Sequence, residues 1–184
     1  MKQKELIAVI GTGLTTFHNA GHQVPRTFDE MLEIDLSGLG VASPDQIVRI
    51  ADLGKLESWG QIEPFTLDTV RTVKDFIWHV MASYARRVTR EILATESNPP
   101  RAPEQITFNE HWRDIGAPLD PDGLNRFRAK LVEQIEALTG IRAKKFGRPY
   151  IQALGAANTR DFLEDITALC RVSSTTVKSG GGGE

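Results

Sequence analysis

Several groups of residues in this chain have types and spacings that chemistry uses, and the first lies near its start. Gly11 and Gly13, in Gly11-Thr-Gly-Leu-Thr-Thr16, follow an apolar run, and a glycine turn there would bring backbone amides to a phosphate. Thr16 stands where the dinucleotide fingerprint has its third glycine, residues 18–25 do not continue as an amphipathic helix, and no Walker lysine follows. The turn is therefore expected only to end a strand. His18 and His22 have the four-residue spacing by which a helix offers two imidazoles to one metal. Gly21 separates them, no glutamate lies inside the pair, and His79 and His111 are distant in sequence, so no metal site is expected. Cys170 is the one cysteine, which excludes a zinc cluster of thiolates and reads as a buried small hydrophobe.

The carboxylates Asp29, Glu30, Glu33 and Asp35 are dense enough to hold a divalent cation, but their alternation with apolar residues reads as the wet face of a strand. Ser37 sits in Asp-Leu-Ser-Gly-Leu, which lacks the leading glycine of a nucleophile elbow. No enzyme motif stands, so a non-enzymatic protein with no cofactor and no catalytic residue is expected.

Binding chemistry is better represented. Arg142, Lys144, Lys145 and Arg148 form a run of cations with no acid among them, interleaved with Phe146 and Tyr150, whose rings can stack on bases. A turn through Gly147-Arg148-Pro149 would present them at a hairpin tip, against the plainer reading of a solvated tip. Arg86 and Arg90, with Arg87 between them, lie one helical turn apart and can share a phosphate or a neighbour's carboxylate. A helix-turn-helix over residues 43–60 is not supported. Its second piece is too short before Gly60 and lacks the side chains that read base edges.

The elements that must position these residues follow from periodicity and caps. Glu5 to Ile10 reads as a buried strand or a short helix, and Met31 to Ser37 as a half-exposed strand with Ile34 and Leu36 on one face. Ser43-Pro44-Asp45 opens a helix that Gly54 stops. Thr66 is placed to cap a long helix reaching about Thr95, along the stripe Leu67, Val70, Val73, Ile77, Val80 or Met81, Tyr84, Val88 and Ile92. Residues 97–103, with three prolines, read as a stiff linker. Asp120-Pro121-Asp122 starts a helix with the stripe Leu124, Phe127, Leu131, Ile135 and Leu138, ended by Gly140. A hairpin over residues 141–154 and a last helix capped by Asn158 or Thr159 follow.

The expected fold class is α+β: mainly helical, with one long central helix over about 66–95 and a small antiparallel or mixed sheet. Residues 1–172 are expected to form a single α+β domain and residues 173–184 an extended glycine-rich arm. The arm carries one apolar side chain, Val177, and four consecutive glycines. Its own contacts cannot repay the entropy of ordering it, so Thr175, Val177 and Lys178 are expected to gain a fixed shape only on a neighbouring subunit.

The net charge of −2 hides a gradient. Residues 1–65 carry five basic and nine acidic side chains, whereas residues 124–148 carry seven basic and two acidic. Opposite ends of opposite sign suit head-to-tail contact between identical copies, which builds rings or filaments. The expected function is therefore a structural or assembly subunit of a multi-copy particle, such as a bacteriophage virion connector or tail-assembly component. Its partners would be copies of itself and neighbouring subunits. The alternative is a nucleic-acid-binding accessory protein that uses the basic hairpin. The longest apolar run, Leu6 to Ile10, is too short to span a bilayer, and Lys2 and Lys4 ahead of it do not make a signal peptide. No membrane partner is expected, and the location is cytoplasmic, or the virion if the chain is phage-encoded.

Overall fold

The computed structural model describes residues 27–37, 43, 45, 62–140, 142 and 147–169. Within them the chain is mainly helical, and two compact units separate between residues 81 and 82. Its named helices are α1 (Phe28–Leu32), α2 (Val73–Glu96), α3 (Pro121–Thr139), α4 (Arg148–Gly155) and α5 (Thr159–Ala168), with a 3-10 turn at Pro103–Gln105. The α+β expectation is corrected. Among the described residues there is no sheet, only the isolated bridges Asp35 to Thr72 and His111 to Asn158.

In the unit up to residue 81, the segment read as a half-exposed strand is no strand: α1 takes its first two residues, Met31 and Leu32, and the rest is mostly turn with an isolated bridge at Asp35. Thr27 accepts a hydrogen bond from the Glu30 amide at 3.1 Å, and Asp29 and Glu30 complement the dipole in the first turn of α1. Local capping thus outweighs the period-two pattern, and backbone pairing survives only where the Leu36 amide donates to Arg71 and the Val73 amide to Ile34. Leu36, Met31, Leu32, Val70, Val73, Phe76, Ile77 and Val80 form the buried core of this unit. The Phe65 ring lies 5.6 Å from Phe76 and 5.0 Å from His79, whose Nε2 is 2.8 Å from the Glu63 carbonyl.

The long central helix expected over about 66–95 is corrected as well. Thr66 begins a separate turn, with its carbonyl accepting from the Val70 amide and the Thr69 hydroxyl. The true start is a reciprocal capping box: Thr72 Oγ1 accepts from the Asp75 amide at 3.2 Å, and Asp75 Oδ2 accepts from the Thr72 amide at 3.0 Å. The boundary between the two units falls inside α2, so this helix is not the spine of one α+β core.

In the unit from residue 82 to 169, the later turns of α2 bury Ala82, Ala85, Val88, Ile92 and Leu93. The core also takes Leu131, Val132 and Ile135 of α3, and Phe162, Leu163 and Ile166 of α5. α3 begins and ends as its sequence indicates: Asp120 Oδ1 accepts from the Gly123 amide at 2.6 Å, and Gly140 closes the helix at φ 71°. Glu96, at the end of α2, takes Lys130 at 2.6 Å and Gln134 at 3.0 Å from α3. The hydrogen bond from Lys130 leads the effects that hold its carboxyl below the usual range.

The proline-rich segment after α2 folds back rather than spanning open space. Asn98 and Arg101 donate backbone bonds to Ile115 and Ala94, and the Arg101 guanidinium meets Glu110 at 2.6 Å. Burial pushes the Glu110 carboxyl up, but hydrogen bonds from Thr107 and Arg101 outweigh it and leave it below the ordinary value. The fully buried Thr159 then ties this loop to α5, exchanging backbone and hydroxyl bonds with Glu110.

Candidate interaction surface

The expected basic hairpin over residues 141–154 is the third correction, since Arg148–Gly155 is the helix α4. Pro149 fits the first turn of a helix, Gly147 supplies the positive φ of 57° at the entry, and Tyr150, Ala153 and Leu154 recur at helical spacing. Ala153 is buried, and Tyr150 and Leu154 are half-buried. The opposite face presents Arg148, Ile151 and Gln152 to solvent, with Ile151 68% exposed. α4 packs against α5 and α3.

A buried cation holds α4 in place. Arg128 of α3 is 7% exposed. Its Nη1 donates to the Leu154 carbonyl at 2.8 Å, and its Nη2 donates to the Ala156 carbonyl. These oxygens are among the orphan acceptors at the C-terminal end of a helix, where positive charge also complements the dipole. The guanidinium lies 5.2 Å from the centre of the Trp112 ring, whose Nε1 donates to the same Ala156 carbonyl at 2.8 Å. Trp112 in turn meets Phe162 and Phe127 edge-on at 5.6 and 6.2 Å. Arg128 Nε is buried without a hydrogen-bond partner, and burial lowers the Arg128 pKa. One of the seven cations counted in residues 124–148 is thus internal, and a second, Lys130, is neutralised by Glu96.

Arg142 is exposed, and Lys144 and Lys145 lie outside the described residues. Arg86 and Arg90 lie on α2, half-buried and exposed respectively. The Arg90 guanidinium is 4.8 Å from the centre of the Phe108 ring, and Arg87 stands 5.2 Å from that of Tyr84. Tyr84 donates to the Leu138 carbonyl at 3.4 Å, and burial raises its pKa. The arm residues Thr175, Val177 and Lys178, the Gly11 turn, His18, His22 and the strand expected at residues 5–10 also lie outside the described residues.

No family model, curated protein or solved structure matches this chain. Its own surfaces are what bear on function. A cavity of about 420 Å³ opens beside the start of α5, lined by Asn109, Asn158, Arg160, Asp161 and Glu164. Arg160 pairs with Glu164 at 3.1 Å, and Asn158 spends its oxygen capping the Asp161 amide, which leaves the carboxylate of Asp161 as the one charge in excess at this open, polar space. Among the described residues no three His, Cys, Asp or Glu side chains gather to hold a metal, and no helix is long and apolar enough to cross a membrane.

Sequence reasoning missed Arg128 and Ile151. Arg128 falls on the row of half-buried Leu124 and buried Leu131 and Ile135, a spacing that marks it as inward-facing. The stripe end, Leu138, is instead 49% exposed. For Ile151 the only available signal was its place next to Tyr150, which helical geometry turns to another face.

Proposed function

We propose that this chain is a non-enzymatic assembly subunit that meets its neighbours through the outer face of α4. The supporting observation is the pairing of Ile151, 68% exposed, with exposed Arg148 one turn earlier, on a helix that Arg128 clamps from below. A lone exposed isoleucine is ordinary, but an apolar anchor beside a cation on a pre-positioned helix has the composition of a protein interface. Rings and tubes of a bacteriophage connector or tail are assemblies of this kind. Solution mass measured by sedimentation tests the reading, with Ile151→Asp and Arg148→Glu beside the parent chain. The parent is expected to exceed the mass of one chain, and each variant to approach it with unchanged far-ultraviolet circular dichroism. A parent chain that stays monomeric at high concentration, with no partner complex isolable, overturns the proposal.

Arg90 favours a second reading as a nucleic-acid-binding accessory protein. Its exposed guanidinium rests on Phe108, which pre-orients the N–H edge toward a phosphate. Affinity for single-stranded DNA would then fall steeply with salt, and no binding at low salt removes this reading.

A further inference from the structure

We propose that the cavity beside the start of α5 binds an organic ammonium group, carried on a molecule that also bears hydroxyl or amide groups. Neither the assembly reading nor the nucleic-acid reading is needed for it. The space of about 420 Å³ admits a small molecule, and its lining of Asn109, Asn158, Arg160, Asp161 and Glu164 is polar or charged throughout. An apolar ligand would find nothing there to bury against.

Charge narrows the choice further. Arg160 and Glu164 neutralise each other at 3.1 Å, whereas the half-buried Asp161 carboxylate has no hydrogen bond or ion pair among the described residues. The start of α5 contributes about half a positive charge, which one carboxylate exceeds. Backbone donors that would hold an anion are also taken. The Thr159 amide donates to the Glu110 carbonyl, the Asp161 amide to the Asn158 side chain and the Phe162 amide to the Asn158 carbonyl. The negative field reaches one turn on, where Asp161 and Glu164 add to burial in raising the Asp165 carboxyl above its ordinary value. A single positive charge therefore suits the space. A divalent metal does not, because it takes several anionic oxygens, and among the described residues no three His, Cys, Asp or Glu side chains gather to supply them.

Neutral groups complete the site. Asn158 commits its oxygen to the Asp161 amide, so its Nδ2 donors are left for a ligand, and the exposed Asn109 amide has no partner among the described residues. These walls are held in advance. Asn158 bridges to His111, and the buried Thr159 hydroxyl accepts from the amide of Glu110, next to Asn109. A ligand meets one carboxylate for its ammonium and two amides for its hydroxyl or carbonyl groups, with little ordering left to do.

Two sources carry this chemistry: a free polar amine such as an amino sugar, and a lysine side chain on another protein. Titration of the full chain at about pH 6, where amines are protonated, separates them by amide chemical shifts in nuclear magnetic resonance. Glucosamine should shift the resonances at the start of α5 saturably in the millimolar range, and glucose and N-acetylglucosamine should not. Asp161→Asn should weaken glucosamine about tenfold, the strength of one charge-assisted hydrogen bond, with circular dichroism unchanged. Arg160→Gln should tighten it by releasing Glu164. Acetyl-lysine-N-methylamide that binds tighter than glucosamine assigns the ammonium to another protein; otherwise it belongs to a free amine. The site is overturned by no saturable shift with either amine, by equal shifts with glucose, by an affinity that Asp161→Asn leaves unchanged, or by an Arg160→Gln chain that binds no more tightly.

Discussion

Replacing Arg128 separates two opposing effects whose balance can be worked from the contacts. Arg128→Met keeps a stem of similar length and removes the charge. Two charge-assisted bonds to carbonyls are lost, about 1.5–3 kcal/mol each. The contact with the Trp112 ring contributes about 1–2 kcal/mol more when desolvated, for a gross loss of about 4–8 kcal/mol. Against this, the cost of burying the charge of Arg128, a residue 7% exposed, with Nε unpartnered, disappears; that cost amounts to several kcal/mol for a buried ion. The Ala156 carbonyl also keeps the Trp112 N–H, so only the half-exposed Leu154 loses its acceptor's protein partner.

The net loss expected for Arg128→Met is about 1–3 kcal/mol. Arg128→Lys should lose at least as much, because a lysine keeps the buried charge but cannot fork across two carbonyls. Urea unfolding followed by tryptophan fluorescence and circular dichroism measures both. A lysine variant as stable as the parent would refute the fork. A methionine variant more stable than the parent would show that desolvation, not the clamp, dominates.

Asp165 and Gly116 supply two further tests. Burial first, then Asp161 and Glu164, raise the Asp165 pKa above its ordinary 3.8, so the folded state holds a proton more tightly than the unfolded state and stability declines as pH rises from about that value through the folded pKa. Asp165→Asn should therefore stabilise the protein near neutrality by about 0.5 kcal/mol, with the gain vanishing below the unfolded pKa; a gain that persists in acid counts against this cause. Gly116 has φ 74°, and a Cβ there would lie 2.4 Å from the Asn98 carbonyl oxygen, whereas Gly155 has open space. Gly116→Ala should cost about 2–4 kcal/mol in urea unfolding and Gly155→Ala far less, and equal midpoints would contradict the clash.

What the chain's letters decided by themselves are features whose cause lies within three or four residues. Asp120, Pro121 and Gly140 mark the ends of α3, and Asn158 caps α5 through the Asp161 amide, because a cap is a bond between near neighbours. The same locality explains the misplaced start of α2: Thr66 and Thr72 are both competent caps, and only Thr72 has a reciprocal partner in Asp75. Tertiary packing decided the rest. Tyr150 to Leu154 suits a strand or a helix in isolation, and it is helical where Ala153 can be buried and Arg128 can receive the terminal carbonyls. The basic stretch 124–148 therefore divides into a buried clamp, Arg128, and a surface cation, Arg148, since which side of a helix meets water depends on the neighbours that cover the other.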